Sequence, residues 1–162
     1  METEKLDELK GLLRKVAFGH LLPEKLFGDL LPKFYPISFA DGERVLQQGT
    51  TAGAFIIISR GALEVKVMSE SHQEVTVKTL KRGDYVGEMA LISGTTRNAT
   101  VIAHGPVEAF LLSKSAFAFM VKEAPPVHEF LKKSAEKREK DTKKKAGLEK
   151  GEKPLKGLRS SL

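Results

Sequence analysis

The chain has 162 residues and a mass of 17.8 kDa, enough for one domain and a short extension. It contains no cysteine, which excludes disulfides and thiolate metal sites, and none of its apolar runs approaches the ~18 residues of a membrane-spanning helix. Its charged, amphipathic start lacks the apolar core of a signal peptide, so we expect a cytoplasmic protein.

The net charge of +6 is distributed unevenly along the chain. Residues 132–162 contain 12 lysines and arginines against 5 acidic residues, a balance of +7, which leaves −1 for residues 1–131. The overall charge of the predicted domain therefore does not indicate nucleic-acid binding.

Two helices are predicted at the start of the chain. Apolar residues at helical spacing predict the first over residues 3–16, with Thr3 as its cap. The second begins around residues 21–25, with Pro23 in its first turn, and Pro32 ends it.

The apolar period changes to that of strands between residues 34 and 112. The continuous apolar run 54–59 predicts a strand that is buried on both faces, and glycine turns such as Arg60-Gly61 separate it from its neighbours. Further strands are predicted at 63–67, 74–78, 100–103 and 107–112. The fold class is mainly β with flanking helices (α+β), a jelly-roll-like β-roll.

Helical spacing returns at residue 113. Ser113 or Ser115 can cap a helix through residue 121, and Pro125-Pro126 separates it from a last helix. We expect a domain over residues 1–140, with the β-roll at about 34–112 and the two helices at about 114–140. Residues 141–162 are then a basic, disordered tail.

The segment Gly87 to Thr100 carries the strongest functional signal. It reads GEMALISGTTRNAT and combines the carboxylate of Glu88, the guanidinium of Arg97 and the first turn of a short helix. A guanidinium and free backbone N–H groups bind phosphate, whereas a carboxylate repels phosphate and accepts hydrogen bonds from hydroxyls. The segment therefore suits a ligand with both a phosphate and a hydroxylated ring.

This segment and the order of elements resemble the cyclic nucleotide-binding domain family, in the style of its stand-alone bacterial members. The family's cassette has the form Gly-Glu-x-Ala-Leu, a loop, then Arg-x-Ala-Thr, and seven residues match it: Gly87, Glu88, Ala90, Leu91, Arg97, Ala99 and Thr100. The resemblance covers about residues 8–140. Asn98 departs from the small residues that are common at this position in the family, and it leaves the choice between cAMP and cGMP open. Val86 stands where an aromatic residue is frequent, and we expect this difference to affect packing only.

The resemblance implies which residues meet a cyclic nucleotide. The phosphate is assigned to Arg97, Asn98, Ala99 and the backbone of Met89 and Ala90, and the ribose to Gly87 and Glu88. The last helix is expected to close over the base as a lid. The candidates for the base and lid are Val75, Val77, Phe130, Leu131 and Arg138.

We expect reversible binding of cAMP or cGMP rather than catalysis, with no cofactor and no metal. The four histidines lack the spacing of a metal site, and no catalytic triad or carboxylate pair is evident. The signal would pass to a protein partner, since the residues after the last helix are too few for a DNA-binding motif. Two other interpretations remain: a degenerate β-roll scaffold in which Arg97 and Glu88 form only a structural ion pair, and a basic tail that binds nucleic acid or anionic lipid. The oligomeric state is open.

Overall fold

The computed structural model describes residues 1–49, 53–93 and 99–145. Four short helical elements come first: α1 (Thr3–Lys15), a 3₁₀ turn (Gly19–Leu21), α2 (Glu24–Leu30) and a second 3₁₀ turn (Leu31–Lys33). The prediction of Thr3 as the cap of α1 is wrong, because Thr3 is already helical and Glu2 is the N-cap. Pro23 likewise precedes α2 as its N-cap rather than lying in the first turn.

The described strands form one antiparallel sheet that curls into the β-roll. Its path is β1–β6–β3–β4, with β2 paired to β6 and β5 paired to β3. The bounds are β1 (Phe34–Phe39), β2 (Arg44–Leu46), β3 (Ala54–Met68), β4 (Glu74–Leu80), β5 (Tyr85–Val86) and β6 (Thr100–Ser113). A short helix, α3 (Glu88–Ser93), lies between β5 and β6 in the chain.

The predicted turn at Arg60-Gly61 is wrong, because β3 runs through it without a break. Gly61 has a φ of +88° and lies where the register with β6 shifts, so it bends the strand instead of ending it. A Cβ at this position would overlap the carbonyl oxygen of Pro106 on β6. The strands predicted at 100–103 and 107–112 are also a single strand, β6, which continues through Gly105.

The run 54–59 is buried on both faces, as predicted. Phe55 and Ile57 belong to a core shared with the N- and C-terminal helices. Ile56 and Ile58 point the other way, into the apolar interior of the β-roll. One strand therefore separates two cores and contributes side chains to both.

Two helices complete the described chain: α4 (Lys114–Glu123) and α5 (Pro125–Lys145). The predicted cap is confirmed at Ser113, whose Oγ accepts a hydrogen bond from the backbone N–H of Ala116 at 3.2 Å. Helix α5 extends past the predicted boundary at residue 140, so residues 141–145 of the predicted disordered tail are helical, while residues 146–162 lie outside the described residues. No described helix is both long and apolar enough to span a membrane.

Candidate functional site

A cavity of about 130 Å³ lies between the β-roll and α5. This volume is roughly ten times the ~10–15 Å³ needed for one ordered water. The side chains of the β-roll therefore leave the space unfilled. The wall combines an apolar surface from the strands with charged groups from α3, α5 and β4. Its residues are Leu46, Val65, Val77, Lys78, Leu80, Val86, Gly87, Glu88, Met89, Ala90, Ala99, Val101, Arg138 and Asp141.

Glu88 is the most deeply buried charged side chain of this wall, with 1% exposure. It is the first residue of α3 and follows Gly87, whose φ of +102° is favoured only for glycine. This backbone conformation turns the chain from β5 into α3 and brings the carboxylate to the cavity. Burial of a carboxylate is costly unless a cation or hydrogen-bond donors compensate it.

Arg138 of α5 supplies that cation. Its Nη1 donates to Glu88 Oε2 at 2.6 Å and to the backbone oxygen of Tyr85 at 3.2 Å. The guanidinium carbon also lies 4.6 Å from the centroid of the Tyr85 ring, a cation–π arrangement. The second half of α5 is thereby attached to Tyr85 and Glu88, which lie on either side of Val86-Gly87 in the chain.

Tyr85 connects this attachment to the helical core. Its ring centroid lies 5.5 Å from those of both Phe18 and Phe55. Burial raises the pKa of the Tyr85 phenol and the charge of Glu88 raises it further, while Arg138 and a hydrogen bond with Ser134 act in the opposite direction. Tyr85 was not among the predicted site residues, although an aromatic residue just before Gly87-Glu88 was a signal that could have found it.

Seven of the predicted residues lie on the cavity wall: Gly87, Glu88, Met89, Ala90, Ala99, Val77 and Arg138. Arg97 and Asn98, the predicted phosphate ligands, lie outside the described residues. The structure therefore brings the ribose side of the predicted site together. The phosphate assignment to Arg97 and Asn98 stays a prediction.

Three predicted base or lid residues are not on the wall of the described cavity. Val75 packs beside Val67 in a small apolar cluster next to the cavity. Leu131 is completely buried in the helical core, and Phe130 packs against that core, because this part of α5 faces the other helices. In the described arrangement it is the later, polar part of α5 that covers the cavity.

Sequence reasoning missed several wall residues. Lys78 and Asp141 carried no motif, and Leu46, Leu80 and Val101 looked like ordinary core residues of strands. Val86 was expected to affect packing only, but it both packs in the β-roll core and lines the cavity. The described residues contain no group of three or more histidine, aspartate or glutamate side chains placed to hold a metal ion.

The fold and the site together define a ligand-binding β-roll. Its features are the curled antiparallel sheet, the short helix that follows Gly87 and the C-terminal helix over the cavity. The family model of the cyclic nucleotide-binding domain matches residues 36–124, more than half of the chain, and the chain belongs to this family. The predicted family and fold class are confirmed.

The relatives include protein kinases and their regulatory subunits. The chain is 32% identical over 121 residues to the cGMP-dependent protein kinase, isozyme 1, of Drosophila melanogaster, which covers 73% of this chain and 16% of the kinase. It is 37% identical over 100 residues to the cAMP-dependent protein kinase regulatory subunit of Mucor circinelloides, covering 62% of this chain and 22% of that subunit. The chain thus spans less than a quarter of the length of these two relatives.

Solved structures show the same fold. The regulatory domain of Toxoplasma gondii PKA, crystallised with cAMP, superposes with a TM-score of 0.75 at 26% identity, covering 83% of this chain and 51% of that chain. A regulatory subunit of a cAMP-independent protein kinase A from Trypanosoma cruzi, bound to guanosine, gives a TM-score of 0.76 at 22% identity, covering 93% of this chain and 53% of that chain.

Proposed function

We propose that this chain is a receptor for a cyclic nucleotide, cAMP or cGMP, which binds in the cavity beneath α5. The observation that carries the proposal is the buried carboxylate of Glu88 on the cavity wall, held at 2.6 Å by Arg138 of the covering helix. The binding of cAMP by the related Toxoplasma gondii domain supports the same ligand class.

The chemistry of the wall fits the parts of such a ligand. A ribose 2′-hydroxyl is a hydrogen-bond donor, and the Glu88 carboxylate is an acceptor in a dry environment, where such a bond is strong. The cyclic phosphate carries one negative charge, so Glu88 repels it and a cation must hold it. We assign that role to Arg97, with the small side chain of Ala99 on the wall leaving room for the phosphate.

The apolar strands supply the remaining surface. Leu80, Val86 and Val101 line the cavity from the β-roll, and a purine ring buries its faces favourably against such side chains. We propose reversible binding without turnover, with no cofactor and no metal.

Helix α5 is the element through which we propose that binding is signalled. Arg138 contacts the carboxylate that we assign to the ribose, so an occupied site and a docked helix stabilise each other. The outer face of α5 carries exposed lysines at helical spacing, Lys133, Lys137 and Lys140. A protein partner that recognises the docked helix would receive the signal.

Calorimetric titration with cAMP and cGMP tests the binding proposal. We expect the wild type to bind at least one of them. Glu88→Gln keeps the shape of the side chain but removes its charge, and should weaken binding, while Arg97→Ala should cost roughly 1.5–3 kcal/mol, the scale of a hydrogen bond to a charged group. Glu136→Gln, at an exposed position of α5 outside the cavity, is the control and should bind normally.

Failure of both nucleotides to bind the wild type would refute the receptor proposal in favour of a protein scaffold. Recovery of the nucleotide unchanged after the titration tests the absence of turnover. Truncation after residue 145 tests the tail interpretation: it should leave nucleotide affinity unchanged while abolishing any binding of nucleic acid or anionic lipid by the tail.

A distance measurement tests the signalling step separately. The chain has no cysteine, so two introduced cysteines are unique labelling sites. Spin labels on Glu70→Cys and Glu136→Cys, both exposed positions, would report the separation between the β-roll and α5. We expect the nucleotide to narrow this distance distribution; an unchanged distribution in a nucleotide-saturated sample would exclude closure of α5 as the signal.

A further inference from the structure

A second cavity lies where α3, α4 and α5 meet, and we call it the helical cleft. Its volume is about 110 Å³, close to the 130 Å³ of the cavity beneath α5, and the two cavities share no described wall residue. The helical cleft is therefore a separate space, to which the proposed function assigns no role. Its described wall residues are Leu91, Ile92, Lys114, Phe117, Ala118, Val121 and His128.

Most of the cleft wall is apolar. Phe117 is 2% exposed and belongs to the core that the helices share. Leu91, Ile92 and Val121 pack against the same core but are only partly buried, so water still reaches a part of each side chain. An apolar group in the cleft would cover this surface, and the removal of apolar surface from water is favourable in proportion to its area.

Two hydrogen-bond donors lie among these apolar side chains. Lys114 begins α4 and lies on one helical face with Ala118 and Val121, at the spacing i, i+4 and i+7, and His128 comes from α5. No described acidic residue lines the cleft. Within residues 1–49, 53–93 and 99–145, neither Lys114 nor His128 forms an ion pair within 4.0 Å.

These two groups favour an anion. The lysine ammonium has three donors and no acceptor, and the imidazole ring has at least one N–H donor. An ionised carboxylate has only acceptors, so it can bind to both groups. The exposed position of Lys114 places this polar contact at the edge of the cleft, where a carboxylate stays partly hydrated.

The volume limits the size of the apolar part of a ligand. A cavity of roughly 150 Å³ lined by leucine, isoleucine and phenylalanine is large enough to hold benzene. The helical cleft has a similar lining and a somewhat smaller volume, and it opens to solvent at the edge. One aromatic ring or a short alkyl chain fits this space, whereas a nucleotide does not.

We propose that the helical cleft is a second ligand site, which binds a small carboxylate that carries one aromatic ring or a short alkyl chain. The apolar part of the ligand packs against Ile92, Phe117 and Val121. The carboxylate accepts hydrogen bonds from Lys114 and His128. This site does not depend on the binding of a cyclic nucleotide to the other cavity.

Methyl NMR spectra of the full chain, titrated with benzoate and with hexanoate, test the proposal. At least one of the two carboxylates should shift the methyl signals of Ile92 and Val121, and it should leave those of Val77, in the other cavity, unchanged. Benzyl alcohol and benzylamine keep the ring but replace the carboxylate. Each should bind roughly two- to fivefold or more weakly than benzoate, the scale of a partly exposed ion pair, with benzylamine the weaker.

Two variants test the wall of the cleft. Lys114→Gln should weaken benzoate roughly two- to fivefold and remove most of its advantage over benzyl alcohol. Ala118→Leu adds bulk on the cleft side of α4 and should block both carboxylates. The control is Lys122→Gln, which removes an exposed charge of the same helix outside the cleft and should leave every affinity unchanged.

The outcomes separate this proposal from the proposed function. The second site is refuted if neither carboxylate shifts Ile92 and Val121, if the shifts occur only at Val77, or if benzylamine binds as tightly as benzoate. Failure of cAMP and cGMP to bind would refute the receptor proposal and leave the second site intact. Thermal unfolding midpoints close to that of the wild type would show that the variants are folded.

Discussion

Arg138 Nη1 lies 2.6 Å from Glu88 Oε2, although 50 residues separate the two in the chain. The arginine side chain is 23% exposed and the glutamate 1% exposed, so this ion pair is largely removed from water. Surface ion pairs contribute little to stability, whereas loss of one partner from a buried pair leaves a charge without compensation. The free-energy cost of burying the Glu88 carboxylate therefore depends on whether α5 is docked with Arg138 in place.

We expect Arg138→Ala to lower the free energy of unfolding by about 1.5–3 kcal/mol, because the Glu88 carboxylate loses a charged hydrogen bond. Urea unfolding checks this value. Arg138→Lys keeps the charge but not the planar guanidinium, so its loss should be smaller. Lys25→Ala is the surface control, since its pair with Asp29 is exposed, and a change above about 1 kcal/mol there would argue against the distinction.

Tyr85 makes stability depend on pH in the alkaline range. Burial raises the pKa of its phenol above the ordinary value of about 10, so the folded chain holds this proton at a pH where the unfolded chain releases it. The contribution is complete below pH ~10 and is lost as the pH rises beyond it.

The stability of the Tyr85→Phe variant relative to the wild type should be constant below pH ~10 and should rise from pH ~10 upward, because phenylalanine has no proton to lose. Unfolding free energies between pH 8 and 11 measure this. Tyr35→Phe, at a side chain with 53% exposure, should follow the wild-type profile, and parallel profiles for all three proteins would contradict the prediction.

Local patterns in the sequence predicted the part of the site that consecutive residues form. Glu88 follows a glycine with positive φ and begins a helix, so the motif alone brought four wall residues together, Gly87 to Ala90. The lid could not be predicted in this way. Helical spacing shows which face of α5 is apolar, but it does not show which part of a long helix lies over the cavity. The apolar Leu131 packs in the helical core, whereas the polar Arg138 lines the cavity.

Glycine signals were ambiguous for a similar reason. The sequence shows that Gly61 tolerates positive φ, but a tight turn and a bend within a continuous strand both use that conformation. Only the pairing of β3 with β6 on both sides of Gly61 separates the two. Lys78 was missed because Val77 is an extra residue, a β-bulge, in the pairing of β3 with β4. The bulge interrupts the alternation of side chains that predicts which face of the sheet a strand residue occupies.

Gly61→Ala and Gly83→Ala separate backbone strain from a steric clash. Their φ angles are +88° and +87°, so both substitutions place alanine in a left-handed conformation that costs about 1–2 kcal/mol. At Gly83 a Cβ meets nothing within 4 Å, whereas at Gly61 it overlaps the carbonyl oxygen of Pro106. We expect Gly61→Ala to lose a further 1–3 kcal/mol or so in urea unfolding. Equal losses would mean that β6 moves away without cost.

Ser113 and Ser115 offer a test of the cap of α4. Ser113 Oγ accepts from Ala116 N–H, so Ser113→Ala should cost about 0.5–2 kcal/mol of unfolding free energy. Ser115 lies within the helix, 3.2 Å from Ser113 Oγ, and Ser115→Ala should change stability by less. The reverse order in thermal or urea unfolding would assign the cap to Ser115.

The strand β3 has a consequence for how the molecule comes apart. Phe55 and Ile57 pack in the helical core. Ile56 and Ile58, in the same stretch of β3 paired with β6, pack in the interior of the β-roll. If the helices detached, Phe55 and Ile57 would face water on a strand that is still paired. If the β-roll unfolded, the helices would lose the strand against which they pack. We therefore expect the helices and the β-roll to unfold together in one cooperative transition.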